Sequence, residues 1–127
     1  MTITVEYDRT KLVAEDVLTV TATATFNRPG RAKMVILDLG LPPGFTLIPD
    51  RLNAMVAEKS IQKYDVTGRQ IIVYLDELTS GKPVKIAYQL LAKYPLKAKT
   101  APSAAYEYYD PGSRAEAKPV ELEVSAK

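Results

Sequence analysis

Two acidic pairs are the first candidates for chemistry in this sequence. Glu15 and Asp16 are adjacent, as are Asp76 and Glu77. Paired carboxyl groups act in acid–base catalysis when they converge across a cleft about 5 to 10 Å wide, whereas adjacent residues of a strand point to opposite faces. We therefore interpret both pairs as turn residues. A calcium site built from loop carboxylates stays open, although no Asp-x-Asp spacing supports it.

The sequence lacks the residues that nucleophilic catalysis and imidazole chemistry require. The chain contains no Cys and no His, which excludes disulfides, thiolate metal sites and imidazole proton relays. Ser103 and Ser113 have no G-x-S-x-G context and no His to activate them. We expect a protein that is not an enzyme and that uses no metal and no cofactor.

Composition narrows the class of protein further. The chain has 127 residues, 46% of them hydrophobic, which suits one domain with its own core. Its net charge of +2 is too small to indicate a nucleic-acid partner, and the three Lys within residues 93–99 are interpreted as solvating residues. No apolar run approaches the roughly 18 residues of a membrane span. Residues 1–7 do not resemble a signal peptide, so we expect no membrane insertion and no leader in this segment.

Alternating apolar and polar residues predict a series of strands that would position any site. The clearest begins at Leu18, where apolar residues face one way and four Thr face the other. The predicted strands span residues 3–7, 18–26, 32–41, 60–66, 70–75, 84–91, 104–109 and 120–124. Gly68 is expected to supply the positive φ of a hairpin. Seven or eight short strands separated by turns predict an all-β fold of two packed antiparallel sheets.

One segment has the period of a helix. Leu52, Met55 and Val56 recur at spacings of three and four, and Pro49-Asp50 suits the first positions of a helix. We predict one short amphipathic helix over residues 49–58, with its apolar side capping one end of the sandwich. The predicted core comprises Leu18, Val20, Ala22, Phe26, Ile36, Leu52, Met55, Ile72, Tyr74, Ile86, Tyr88 and Leu122.

The order of four motifs carries a family resemblance. Pro43-Gly44-Phe45, the helix after it, the strand from Ile72 to Asp76 and the segment from Ala104 to Tyr109 follow one another. Together they resemble the receptor-binding domain at the end of alpha-2-macroglobulins and related complement proteins. The resemblance covers about residues 3 to 125. It implies a macroglobulin-type antiparallel β-sandwich with an inserted helix, forming one domain over residues 1–127 of a much larger protein.

The resemblance also implies a function for that larger protein. Members of the family entrap attacking proteases with a bait region and a thioester that lies in a different domain. This chain would be a C-terminal recognition and scaffolding domain, extracellular or periplasmic as part of a secreted parent. Its partners would be the neighbouring thioester domain, the trapped proteases and a cell-surface receptor. A generic β-sandwich adhesion or protein-binding module of a secreted protein is the alternative, because one fold hosts many functions.

Receptor engagement in vertebrate members depends on two Lys four residues apart on the inserted helix. The matching positions here are Pro49 and Asn53, both uncharged, so the resemblance favours a bacterial or other distant member. Arg51 and Lys59 offer a substitute basic surface, because Arg51, Met55 and Lys59 would share one helical stripe. Candidate receptor- or partner-binding residues are therefore Arg51, Asn53 and Lys59.

The tyrosine-rich segment allows two interpretations. Strand alternation would send Tyr106 and Tyr108 to one face and Tyr109 to the other. In the first interpretation Tyr106 and Tyr108 pack inward and Tyr109 covers the sheet edge. In the second, which the family implies, one of these three tyrosines shields the thioester of the neighbouring domain from water. Tyr108 and Tyr109 are favoured for that role because they adjoin the turn at residues 110–112.

Overall fold

The computed structural model describes residues 1–100 and 102–126, with the side chains of all of these except residues 110–113. In this part of the chain twelve strands and one helix follow in the order β1 (Thr2–Tyr7), β2 (Lys11–Val13), β3 (Val17–Thr25), β4 (Arg31–Gly40), β5 (Phe45–Ile48), α1 (Asp50–Ala57), β6 (Lys63–Val66), β7 (Gln70–Thr79), β8 (Val84–Ala92), β9 (Leu96–Lys99), β10 (Ser103–Glu107), β11 (Asp110–Ala117) and β12 (Glu121–Ser125). The predicted all-β class with one inserted helix is confirmed.

The strands form three sheets. A four-stranded sheet has the order β1-β3-β8-β5, a five-stranded sheet has the order β11-β10-β4-β7-β6, and a small sheet has the order β2-β12-β9. All pairings are antiparallel except that of β12 with β2. The strand count exceeds the predicted seven or eight because β2, β5 and β9 have only three or four residues each, too few to show alternation, and because β11 was not predicted.

The core lies between the two larger sheets. Alternate residues of β3, beginning with Leu18, are buried, as the sequence pattern predicts. Other predicted core residues that are buried there are Val20, Ala22, Leu52, Ile86, Tyr88 and Leu122, while Phe26 and Met55 are partly buried against the core. Ile36 is buried as well, but it pairs with Tyr74 on the outer face of the five-stranded sheet, so its placement in this core is wrong. The placement of Ile72 and Tyr74 in the core is wrong. Both lie half-buried on the outer face of β7, and their neighbours Ile71, Val73 and Leu75 fill the core instead.

In β4 and β7 the alternation of buried and exposed residues is interrupted at neighbouring positions. Met34 has φ 55°, in the left-handed region, although it lies within a strand. In β7 two consecutive residues, Asp76 and Glu77, are both exposed. The buried side consequently shifts by one residue on both strands while their register stays constant. Asp76 and Glu77 are therefore strand residues, and the prediction that they form a turn is wrong.

The predicted turn at Glu15 and Asp16 is confirmed, because both lie in the connection between β2 and β3. The predicted hairpin between β6 and β7 also forms, with Thr67 rather than Gly68 as its principal residue. Thr67 N–H donates to Gln70 O at 2.9 Å, and Gln70 N–H donates to Thr67 Oγ1 at 3.1 Å. Gly68 does not adopt a positive φ, so the expected backbone role of this glycine is wrong.

Candidate functional site

The inserted helix packs one residue deeply. Leu52 is fully buried, and α1 lies against β8. Pro49 precedes the helix as its N-terminal cap and makes no side-chain capping hydrogen bond, while Asp50 places a carboxylate in the first turn. Negative charge there interacts favourably with the free N–H groups of a helix start. Arg51 is exposed on the side that faces away from the core.

Asn53 has a structural partner. Its Oδ1 accepts a hydrogen bond from the hydroxyl of Tyr64 in β6. This bond joins the middle of α1 to the strand that follows it. The side chain of Asn53 is thus engaged within the domain, although the residue as a whole is exposed.

Lys59 ends the helix through its backbone. The residue has φ 63°, and its N–H donates to Val56 O at 3.1 Å. The next N–H, of Ser60, donates to Met55 O at 2.9 Å. These two bonds and the left-handed residue between them are the Schellman arrangement that commonly closes a helix. Because α1 ends at Ala57, the predicted helical stripe from Arg51 to Lys59 is wrong, and the exposed side chain of Lys59 projects from a turn.

The tyrosine-rich segment forms a turn rather than a longer strand. β10 ends at Glu107, where its pairing with β11 shifts register, and the chain reverses through Tyr108 and Tyr109. Tyr108 is 56% exposed and Tyr109 is 78% exposed. Their rings meet edge to face, with centroids 5.1 Å apart and planes at 86°. The interpretation that Tyr108 packs inward is therefore wrong.

The backbone of β4 holds this turn in place. Tyr108 N–H donates a 2.7 Å hydrogen bond to the carbonyl oxygen of Met34, the residue with left-handed φ. Tyr106, by contrast, stays within β10 and is half-buried, with the Arg114 guanidinium 5.5 Å from the centre of its ring. The structure thus presents Tyr108 and Tyr109 to solvent while Tyr106 is partly covered.

Tyr74 of β7, which the sequence pattern predicts to be a core residue, is a neighbour of these tyrosines. Desolvation raises the pKa of Tyr74, and Asp65, Tyr106 and Tyr108 raise it further. The ammonium group of Lys63 lies 4.6 Å from the centre of the Tyr74 ring. The outer face of the five-stranded sheet is therefore aromatic as well as charged. The pairing register is needed to identify this face, because the residues of β7 that point inward and those that point outward are both largely apolar.

The basic segment at residues 93–99 is divided between a loop and β9. The registers of β12 place Glu123 between Lys97 and Lys11, and Glu121 beside Lys99. These side chains border an open depression of about 490 Å³ on the small sheet. Alternating charge of this kind is typical of a solvated surface, and Lys on edge strands also discourages pairing with other chains.

Among the acidic side chains that the structure describes, no group of three could hold a metal ion. Asp16 accepts a 2.9 Å hydrogen bond from Val13 N–H and lies 3.7 Å from Arg9, while Glu77 lies 3.4 Å from Arg31. Asp16 and Glu77 therefore stabilise local structure. Among the described helices, none is both long and apolar enough to span a bilayer.

The fold and its exposed sites define a β-sandwich domain with an inserted helix, and the family follows from the sequence. The model of the A-macroglobulin receptor binding domain family matches residues 30–119, which is 90 of 127 residues. The chain belongs to this family, as the order of motifs predicted. Among curated proteins, no sequence is similar enough to match.

Solved structures agree on the fold. Salmonella alpha-2-macroglobulin reacted with methylamine is similar with a TM-score of 0.78 at 18% identity, over 98% of this chain and 9% of that one. The segment of native Escherichia coli alpha-2-macroglobulin from domain MG7 to the C-terminus gives 0.78 at 15% identity, over 98% and 24%. The native conformation of Escherichia coli alpha-2-macroglobulin gives 0.77 at 16% identity, over 98% of this chain and 9% of that one. This chain spans less than a quarter of the length of each.

Proposed function

We propose that this chain is the C-terminal recognition and scaffolding domain of a larger alpha-2-macroglobulin-like protein that entraps proteases. The family match over residues 30–119 carries the proposal. Similarity over 98% of this chain but only a small part of the similar chains supports a domain of a much longer parent. The parent is secreted to the periplasm or outside the cell. Its thioester lies in another domain, because a thioester needs a Cys and this chain has none. The domain itself is not catalytic.

Protease protection tests this function in the parent protein. Trypsin enclosed in a trap still cleaves a small chromogenic peptide but cannot reach a large protein substrate. We expect the intact parent to produce this split and a parent that lacks the 127 residues to lose or weaken it. A parent that leaves cleavage of both substrates unchanged would instead support the adhesion-module alternative. A Cys-Gly-Glu-Gln segment upstream of this chain would give independent support.

We assign Tyr108 and Tyr109 to the contact with the neighbouring thioester domain. Both side chains are exposed in the turn after β10, and the backbone N–H of Tyr108 is anchored to Met34, which supports this assignment. A thioester hydrolyses when water reaches it, and an aromatic side chain with few rotatable bonds excludes water at a low entropic cost. Tyr106 is a weaker candidate because Arg114 covers one face of its ring.

Amine incorporation measures this shielding, and the Salmonella relative was itself reacted with methylamine. In the intact parent we expect Tyr108→Gly or Tyr109→Gly to accelerate methylamine incorporation and thiol release. Tyr94→Gly is the matched control, because Tyr94 is 54% exposed but lies in the loop between β8 and β9. Equal rates in the parent and in both turn variants would remove the shielding role from these residues.

We propose that the domain does not bind the vertebrate type of receptor with high affinity. Such receptors use acidic pockets to bind pairs of Lys, whereas Pro49 caps the helix and Asn53 binds Tyr64. Arg51 and Lys59 are the remaining basic candidates. Surface plasmon resonance against an acidic receptor module should show weak binding or none. A Kd below about 1 µM that is lost in Arg51→Ala/Lys59→Ala would contradict this proposal.

A further inference from the structure

Three loops of this domain place a proline directly after a basic residue. Arg28-Pro29 lies between β3 and β4, Lys82-Pro83 lies between β7 and β8, and Lys118-Pro119 lies between β11 and β12. The basic residue of each pair is exposed. Exposed loops are where proteases usually cut a folded protein, and trypsin-like proteases cut after Lys and Arg. Each loop therefore presents the residue type that such a protease recognises.

The proline changes the bond that the protease would break. A serine protease attacks the carbonyl carbon of the basic residue and passes a proton to the nitrogen that leaves. In a bond from Lys or Arg to Pro, that nitrogen belongs to the pyrrolidine ring, which carries no N–H and restricts the backbone of the residue before it. The ring crowds the active site on the leaving side, so trypsin-like proteases cleave these bonds very poorly.

The other basic residues in the described connections lie in hydrogen-bonded backbone. They are Arg9, Lys59, Arg69 and Lys93. The carbonyl oxygen of Arg69 accepts a 2.8 Å hydrogen bond from Leu41 N–H, and the N–H of Gln70 donates to Thr67 Oγ1 at 3.1 Å. Both sides of the bond between residues 69 and 70 are thus engaged. Lys59 lies in the hydrogen-bonded turn that closes α1. A protease would have to open such a segment locally before it could bind it.

The connections at Arg9 and Lys93 are held in the same way. Thr10, the residue after Arg9, accepts a 2.8 Å hydrogen bond at its carbonyl oxygen from Glu123 N–H. Lys93 N–H donates to Gly44 O at 3.0 Å. The basic residues that the structure describes outside the connections lie in α1 or in paired strands. The loops that contain proline after a basic residue are therefore the ones to compare with this background.

The first two of these loops stand clear of the rest of the domain. A Cβ built at Gly30 or at Gly81 would meet no atom of a non-neighbouring residue within 4 Å. The loops are adjacent to each other, because Ser80 N–H donates a 2.8 Å hydrogen bond to Gly30 O. Residues 28–30 and 81–83 are all exposed. A protease can approach both loops, so their resistance has to come from the peptide bond itself rather than from cover.

The third loop is anchored immediately after its proline. Val120 N–H donates to Thr100 Oγ1 at 2.8 Å, and Val120 O accepts from Thr100 N–H at 2.9 Å. The segment that follows Pro119 would have to leave these partners before it could extend into an active site. We therefore expect the proline to matter less in this loop than in the first two.

We propose that Pro29 and Pro83, with a smaller contribution from Pro119, make this domain resistant to trypsin-like proteases. Each proline occupies the position after an exposed basic residue in a loop. A proline in a turn also restricts the backbone, and that structural role is compatible with the protective one. The two roles differ in their consequences, because only the protective role requires the basic residue. The inference concerns this chain alone and does not rest on the role of its parent in a protease trap.

Digestion of the 127-residue chain with trypsin, followed by mass spectrometry of the fragments, tests the inference. The wild type should stay intact. Pro29→Ala should be cut between residues 28 and 29, and Pro83→Ala between residues 82 and 83, each at least about tenfold faster than the wild type is cut anywhere. Pro119→Ala should be cut more slowly than either. Circular dichroism and thermal unfolding establish that each variant is folded at the temperature of digestion.

Arg28→Gln/Pro29→Ala and Lys82→Gln/Pro83→Ala are the matched controls. Each double variant has the same loss of proline as the single variant but no basic residue at the bond, so it should be as resistant as the wild type. Double variants that are cut near the altered loop as fast as the single variants would show that proline acts through loop rigidity, which overturns the proposal. Single variants as resistant as the wild type also overturn it, as does a wild type cut as fast as the single variants.

Discussion

Gly44 lies directly against the side chain of Leu96, so closely that a Cβ at position 44 would overlap Leu96 Cδ2. The backbone of Gly44 has φ 79°, and its carbonyl oxygen accepts a 3.0 Å hydrogen bond from Lys93 N–H. The residue therefore joins the turn before β5 to the start of the segment that leads to β9. Position 44 needs glycine both for its conformation and for the space that Leu96 occupies.

Gly44→Ala should destabilise the domain by about 2 to 4 kcal/mol, because a left-handed alanine and an overpacked contact each cost energy. The free energy of unfolding from urea titration measures the effect. Gly81→Ala is the matched control, since Gly81 has φ 77° but open space around it. That variant carries the conformational cost alone, about 1 kcal/mol. Equal losses in both variants would show that Leu96 moves aside freely.

Leu52→Ala should cost about 2 to 4 kcal/mol, because it leaves a cavity beneath the helix where a fully buried side chain stood. Met55 lies on the same helix but is only partly buried. Met55→Ala should therefore produce a smaller loss in the same urea titration. A Leu52→Ala loss no larger than that of Met55→Ala would mean that the helix contributes little to the core.

The hydrogen bond between Asn53 and Tyr64 should contribute about 0.5 to 1.5 kcal/mol to stability. A double-mutant cycle with Asn53→Ala and Tyr64→Phe isolates this contribution. The two single losses should then exceed in sum the loss of the double variant by the coupling energy. Strictly additive losses would show that the bond is not formed in solution and would return Asn53 to the candidate binding residues.

Lys59→Gly should stabilise the domain by about 0.5 to 1 kcal/mol, because glycine adopts the left-handed conformation without steric cost. Arg51→Gly, within the helix, should instead destabilise it by about 1 kcal/mol. Thermal unfolding of the two variants gives the opposite signs directly. Destabilisation by Lys59→Gly would indicate that the Lys59 side chain makes a contact on which the helix end depends.

The helix and the long strands could be predicted because each packs one side against its neighbours. Its apolar residues therefore recur at a regular period. The helix, Asp50–Ala57, lies within the predicted residues 49–58. In the segment from Gln70 to Leu75, however, both phases are apolar, so alternation could not distinguish Ile71 from Ile72. The pairing with β4 decides the matter, since Val35 and Leu37 share their face with Leu75 and Val73. That register is a property of the assembled sheet.

The candidate site was predictable in part for a similar reason. The sequence indicated that Tyr108 and Tyr109 lie near a turn, and the structure places them within it. The register shift after Tyr106 that ends β10 has no local sequence signal. The left-handed Met34 that anchors Tyr108 is equally hidden, because Met has no preference for that conformation. The alignment of Arg114, Tyr106, Ile36, Tyr74 and Lys63 across the five-stranded sheet depends on four successive registers and could not be derived from any single strand.

Asp38 should make the stability of the domain depend on pH. Desolvation raises the pKa of Asp38, and the attraction of Arg114 and the hydrogen bond from Gln70 oppose that shift without cancelling it. A folded-state pKa above the unfolded value of about 3.9 means that the native state binds the proton more tightly. The contribution of Asp38 to stability is therefore most favourable below the unfolded pKa and declines as the pH rises through the folded pKa.

Asp38→Asn removes this dependence while keeping an oxygen that accepts from Gln70. We expect the stability of the wild type relative to Asp38→Asn to increase as the pH falls from about 7 to about 4, as measured by urea titration at each pH. Arg114→Gln should raise the pKa of Asp38 further, because it removes the neighbouring positive charge, and an NMR titration of the carboxyl carbon would detect that shift. If the stability of the wild type relative to Asp38→Asn instead fell as the pH was lowered, Arg114 and Gln70 would outweigh the desolvation of Asp38.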